Sequence, residues 1–281
     1  MILTTDQLSK SFGGIHAMRS VSLGFEAGEI TGVIGPNGAG KSTLINLLDG
    51  SFRPTSGTIT LRGQALNRLP RHKVSQAGIS RTYQNLRLFD HLTALENLEV
   101  CFYPVESGGV WKEVLFPRYA RKRDRRRRDH CMAILEKLGI AHFAAIEARH
   151  LPYGRQRILE IGRAVVRQPS VLLLDEPAAG LNHEETADLK NRLESLRSPD
   201  LAIVVVEHDM DLIMTICQRI HVLNFGSLLF SGTPKQVQSN PDVLAAYLGT
   251  SDEYDRIHAL AQDRRSSRRI RPDKNTRSGQ S

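Results

Sequence analysis

Gly35, Gly40, Lys41 and Ser42 stand at the spacing G-x-x-x-x-G-K-S/T, with Pro36, Asn37, Gly38 and Ala39 between them. Glycines let a backbone turn its N–H groups inward, and the start of a helix adds partial positive charge, so this spacing builds a nest for phosphate groups. Lys41 is placed to pair with terminal phosphates and the Ser42 hydroxyl to ligate Mg²⁺. Two acids, Asp175 and Glu176, end the apolar run Val171-Leu172-Leu173-Leu174. At the C-terminal end of a strand in a doubly wound sheet they open onto a ligand crevice. There Asp175 is placed to hold Mg²⁺, directly or through water, and Glu176 to orient or deprotonate an attacking water. A further apolar run, residues 201–206, ends in Glu207-His208-Asp209. His208 can reach a γ-phosphate there as a hydrogen-bond donor or relay. The chemistry implied is capture of a nucleoside triphosphate.

Such residues need strands to carry them and helices to cover the strands. Ile30-Thr31-Gly32-Val33-Ile34 reads as a buried strand entering the glycine loop, and residues 43–48 as a helix leaving it. Short strands are expected over Ile2–Leu8, Val21–Phe25 and Thr58–Leu61, with Gly13-Gly14, Gly28 and Gly57 as punctuation. From about Thr93 to Arg167 the pattern turns helical, with apolar residues at helical spacing over Asp129–Leu138 and Gln156–Val166. Tyr103–Tyr119, which mixes Pro, Gly and the lone Trp111, reads as an irregular insert. The last third alternates strand Val171–Leu174, helix Glu184–Leu196, strand Leu201–Val206, helix Met210–Cys217 and strand Ile220–Leu223. The expected fold is therefore α/β, a mostly parallel sheet with helices on both faces and a helical subdomain at about 93–167. The tail at 251–281 is polar and basic, and is expected to be disordered.

Composition narrows the function classes. A chain of 281 residues with 40% hydrophobic content can bury a substantial core. No apolar run approaches the ~18 residues that span a bilayer, and the first residues lack the pattern of a signal peptide. Three scattered cysteines, Cys101, Cys131 and Cys217, suggest neither a disulfide framework nor a zinc site, and fit a reducing compartment. The formal charge of +8 is concentrated in a cluster from Arg118 to Arg128 and in the tail from Arg264 to Arg277. Neither cluster interleaves aromatic residues as a nucleic-acid stacking platform does, so both read as solvated charge, and no nucleic-acid partner is expected.

With these motifs in view, the chain resembles the ATPase subunit of an ABC transporter from about Leu3 to Gly249. Gly35 to Thr43 matches the family's Walker A loop and Val171 to Glu176 its Walker B strand. Gln84, in Ser80-Arg81-Thr82-Tyr83-Gln84, falls at the Q-loop glutamine, which the resemblance makes a Mg²⁺ ligand and part of the catalytic set with Glu176 and His208. Phe12 sits where an aromatic ring stacks on adenine. Tyr153, Gly154 and Arg155 fall in the signature loop, which in this family closes over the γ-phosphate of ATP held by the opposite subunit. Pro152 and Arg155 replace that loop's usual serine and glutamine, and Asn182 stands where aspartate is usual. Proline has neither N–H nor hydroxyl, so a direct serine-to-phosphate bond is lost at that position.

Three stretches, 78–89, 175–182 and 240–249, resemble most closely the larger ATPase subunit of branched-chain amino-acid importers. The resemblance implies one nucleotide-binding domain over 1–250, containing an antiparallel β subdomain, with ATP and Mg²⁺ as cofactors. It implies a second ATPase subunit (a homo- or heterodimer), two transmembrane permease subunits and, indirectly, a solute-binding protein, with this chain peripheral on the cytoplasmic face of the cell membrane. Urea or amide importers, lipopolysaccharide exporters and soluble nucleic-acid-associated ABC ATPases remain alternative expectations.

Overall fold

The computed structural model describes residues 1–102 and 117–247, leaving the side chains of 117–121 aside. Most of the expected insert around Trp111 and the basic tail lie outside the described residues.

The chain opens with β1 (Leu3–Phe12) and β2 (Ile15–Phe25), an antiparallel hairpin pairing Phe12 with Ile15 across Gly13-Gly14. Both strands run further than their apolar patterning suggests. The added stretch carries Lys10, Ser11 and His16 outside the core and only Met18 within it, too little alternation to mark it as strand. The chain continues through β3 (Ile30–Ile34), α1 (Lys41–Leu48), β4 (Ser56–Leu61), β5 (Gln64–Ala65), α2 (Arg71–Ala77) and β6 (Ile79–Arg81). Three helices form the core of the helical subdomain: α3 (Ala94–Glu99), α4 (Pro117–Lys137) and α5 (Tyr153–Val165). Helix α4 starts well before the expected Asp129, and its first turns are basic rather than amphipathic. The last part runs β7 (Val171–Asp175), α6 (His183–Leu196), β8 (Ala202–Val206), α7 (Met210–Ile216), β9 (Arg219–Asn224), β10 (Ser227–Gly232), α8 (Pro234–Ser239) and α9 (Pro241–Tyr247).

Two sheets result. One is antiparallel, in the order β2-β1-β4-β5; the other is six-stranded, in the order β10-β9-β3-β8-β7-β6. Every pairing in the second sheet is parallel except the β9–β10 edge hairpin. Successive residues of its central strands enter different cores. Leu172 and Leu174 of β7 join Ile203 and Val205 of β8 in the core against the helical subdomain. Val171, Leu173, Ala202, Val204 and Val206 face α1 and the antiparallel sheet. A sheet covered on both faces needs apolar residues at every position, which is why these strands read as continuous apolar runs.

Parallel register also fixes where the strands stop. Asp175 pairs with Val206 and Val33 with Val206, while Arg81 of β6 lies opposite Leu173. The C-terminal ends of β3, β6, β7 and β8 therefore share one edge of the sheet, and the loops that follow them meet there.

Candidate active site

Gly35 leaves β3 and Gly40 (φ 100) precedes α1, so the loop between them turns over the start of that helix. No other residue fits either position. A Cβ on Gly35 would lie 2.2 Å from the Leu223 carbonyl oxygen, and one on Gly40 2.9 Å from that of Ala17. The loop is braced from behind: the Ala39 carbonyl accepts from the Gly226 N–H at 3.1 Å, and the Ala39 N–H donates to the Pro36 carbonyl at 3.0 Å. Asn37 and Gly38 form its exposed crest, with Pro36 half-buried beside them. Lys41 folds back along the loop, its Nζ donating to the carbonyls of Gly35 at 2.5 Å and Pro36 at 3.2 Å. Ser42 and Thr43 follow in the first turn of α1, Ser42 exposed.

On the neighbouring strand, Asp175 is half-buried and pairs through Oδ2 with Arg81 at 2.8 Å. The other edge of that guanidinium binds Asn46 Oδ1 on α1 at 2.7 Å and Asp49 Oδ2, at the C-cap of α1, at 2.9 Å. Arg81 thus ties the strand bearing Asp175 to the helix that follows the glycine loop. Glu176 is held in the left-handed region (φ 48), a strained state for a residue with a side chain. Its N–H donates to the Val206 carbonyl at 2.8 Å, and its Oε2 accepts from Gln84 Nε2 at 2.8 Å. The glutamine implied by the resemblance and the acid at the end of β7 therefore touch.

His208 follows β8, exposed, with Nδ1 3.7 Å from Glu207 Oε2. Glu207 itself is buried and accepts from the N–H groups of Ala178, at 2.7 Å, and His208, at 3.0 Å. Burial pushes its carboxyl above the usual range against those N–H bonds and the nearby imidazole. Asp209 caps α7 by accepting from Asp211 and Leu212.

The signature loop is built on other contacts. Tyr153, Gly154 and Arg155 open α5, and their partners lie on α6 and the loop after β7 rather than on the glycine loop. The Tyr153 hydroxyl donates to the Ala179 carbonyl at 3.2 Å, and Arg155 pairs with Asp188, which also holds Arg192 at 2.9 Å. A Cβ on Gly154 would meet Glu185 Oε1 at 2.7 Å. Asn182 caps α6 in a reciprocal box with Glu185, a role asparagine fills as well as aspartate does. Phe12 stands at the hairpin tip, 41% exposed and edge-on to Phe52, with Lys10 Nζ 4.8 Å from its ring centre.

Sequence reasoning passed over Arg81, Glu207 and Arg157, each a charged group in contact with the site. Arg157 is 2% exposed on α5, beside a buried Glu160 whose carboxyl is raised by burial in spite of that arginine. The available signal was a charged pair three residues apart inside a run with apolar neighbours on both sides. A groove of about 560 Å³ opens beside the site, lined by Arg71, Arg81, Tyr83, Arg87 and Arg163 among others.

Known proteins place this arrangement. Residues 18–179 match the family model described as ABC transporter, and residues 227–253 match one described as branched-chain amino acid ATP-binding cassette transporter. The high-affinity branched-chain amino acid transport ATP-binding protein LivG of Salmonella typhimurium is 43% identical over 249 residues, covering 88% of this chain and 98% of that protein. BraF of Pseudomonas aeruginosa, described in the same words, is 43% identical over 253 residues, with the same coverage. Among solved structures, the ADP conformation of an ATP-binding cassette of an ABC transporter superposes with a TM-score of 0.76 at 27% identity, covering 88% of this chain and 98% of that one. The architecture of this chain is the expected one, a largely parallel core sheet with an antiparallel β subdomain and a helical subdomain. This chain belongs to the ABC transporter family, as one of its ATP-binding, ATP-hydrolysing proteins.

Proposed function

We propose that ATP and Mg²⁺ bind at the shared edge of the parallel sheet, and that hydrolysis there energises uptake of branched-chain amino acids through a membrane complex. The observation that carries the site reading is the register that brings the glycine loop, Asp175-Glu176, Gln84 and His208 to one edge, with Gln84 bonded to Glu176 at 2.8 Å. Loop N–H groups and Lys41 hold the phosphates, and Phe12 offers its ring to the adenine. A hydroxyl (Ser42), a carboxylate (Asp175) and an amide oxygen (Gln84) are hard oxygen donors, and so fit Mg²⁺. When bound, that ion neutralises charge on the terminal phosphates. Glu176 takes the proton of the attacking water, Gln84 keeps that carboxylate aimed, and His208 donates to the γ-phosphate.

Tyr153, Gly154 and Arg155 face away from their own chain's phosphate loop in this reading, and close over nucleotide held by a second ATPase subunit. Without a serine at Pro152, the main chain at Gly154 and the start of α5 supply that contact. The arginine-lined groove beside the Q-loop is where a permease subunit would register closure. Two permeases and a solute-binding protein complete the assembly, and the chain lies against the cytoplasmic membrane face. The branched-chain substrate is supported by the 43% identity to LivG and BraF and by the match over 227–253.

The test is to co-purify the chain with its membrane subunits, reconstitute them in proteoliposomes and load ATP on the nucleotide side. Uptake of leucine, isoleucine and valine should require ATP and the matching solute-binding protein. Uptake of urea or short amides instead, or hydrolysis stimulated by nucleic acid rather than by the membrane subunits, would contradict the assignment.

A further inference from the structure

Arg157 is the largest fully buried side chain described, and it reaches three segments that the sequence keeps far apart. Nη1 donates to the Tyr83 carbonyl at 3.0 Å, and Nη2 to the Gln84 carbonyl at 2.9 Å. Nη2 also lies 3.1 Å from the Tyr153 hydroxyl and 3.4 Å from the Ala179 carbonyl. Nη1 faces Glu160 Oε2 at 3.4 Å. The guanidinium therefore stands at the junction of the Q-loop, the signature helix and the loop after β7.

Burying an ion pair contributes little to stability compared with apolar packing of the same volume, so stability is a poor account of this one. What a planar fork supplies is geometry, because several carbonyls are fixed relative to one another by one rigid group. The carbonyls it fixes belong to catalytic segments. Gln84 is held by its main chain to Arg157 and by its side chain to Glu176, and Ala179 lies three residues past Glu176.

We propose that Arg157 is a positioning residue for hydrolysis: it holds the main chain of Gln84 and Ala179 so that the Gln84 amide stays on Glu176 while the signature helix remains docked. This rests on the reading of Glu176 and Gln84 given above. Arg157 touches no part of the phosphate loop in the bonds described, so it acts on turnover and leaves nucleotide capture alone.

Steady-state hydrolysis and ATP binding are measured on the full chain carrying Arg157→Met or Arg157→Lys, each in the wild-type and Gln84→Ala backgrounds. Arg157→Met should lower kcat roughly tenfold to a hundredfold, with KM for ATP and the ATP dissociation constant within about twofold of wild type. Arg157→Lys keeps a charge opposite Glu160, so it preserves the fold if the methionine variant does not, but it lacks the fork and should regain little of kcat. In the Gln84→Ala background either change should cost less than about twofold more, because the partner through which it acts is gone. Equal losses in both backgrounds overturn the proposal, as does wild-type kcat in the lysine variant or a loss confined to ATP affinity. Abolished turnover in Glu176→Gln beside unaffected Arg157 variants would remove this inference and leave the hydrolytic site standing.

Discussion

The edge of the core sheet and the start of α5 both carry residues of the proposed nucleotide site, yet they are held by different means. At the sheet edge, backbone does most of the positioning, with Arg81 as the main side-chain tie. Parallel register sets Asp175 opposite Val206, close packing against Leu223 and Ala17 enforces the two loop glycines, and Glu176 is pinned through its own N–H. Around α5 the work passes to side chains, with Arg157 on three carbonyls, Tyr153 on Ala179 and Arg155 on Asp188. A backbone-built site tolerates little change at any of its glycines. A side-chain-built junction can be loosened one bond at a time, which suits a part of the molecule proposed to meet a second subunit.

The sharpest way to break that contrast is at Glu176. Glu176→Gln keeps the bond to Gln84 in reach but removes the proposed base, and should lower kcat about a thousandfold with ATP binding retained, read by single-turnover hydrolysis and nucleotide titration. Parity with wild type would take Glu176 out of the mechanism.

Acid sensitivity should belong to the sheet side. His221 on β9 is buried, its Nε2 donating to the Gly24 carbonyl at 3.2 Å while Nδ1 has no hydrogen-bond partner. Burial first, with Arg219 adding to it, lowers its pKa to about 4. The folded chain therefore keeps this ring neutral where the unfolded chain, titrating near 6.5, takes up a proton. Its contribution is full above about pH 6.5 and is lost as pH falls toward 4, at up to about 1.4 kcal/mol per pH unit. Denaturant unfolding between pH 7.5 and 5 should show that slope in the wild type and a smaller one in His221→Gln; identical slopes would place the acid sensitivity elsewhere.

On the other side the smallest effect is expected at Asn182. Asn182→Ala removes the cap of α6 and should cost about 1 kcal/mol in denaturant unfolding, whereas Asn182→Asp should cost nothing measurable. A loss from the aspartate variant would mean that the amide has a role beyond capping.

The same contrast explains what could be seen in the residues alone. Phosphate loop, acidic strand end and His208 are legible because local backbone geometry demands particular residue types at fixed spacing. The continuous runs of β7 and β8 are legible because both sheet faces are covered. By contrast, β6 has three residues and is recognisable only from its pairing with β7. Arg157 bonds to carbonyls 73 and 74 residues away, and a carbonyl carries no side-chain identity for a sequence to display. Arg81 is similar: its partners Asn46, Asp49 and Asp175 are distant in the chain, and each has an ordinary local explanation. Side chains that bridge elements are read from structure because their meaning lies in the partner.

The division between a backbone-built nucleotide edge and a side-chain-built junction is tested most directly by one calorimetric comparison. ATP is titrated with Mg²⁺ into the wild-type chain, Lys41→Ala and Arg157→Met. Lys41→Ala should weaken binding by roughly ten- to a hundredfold, the loss of one charge-assisted contact, while Arg157→Met binds as the wild type does. Unchanged affinity in Lys41→Ala, or no heat from the wild-type chain, would contradict the account.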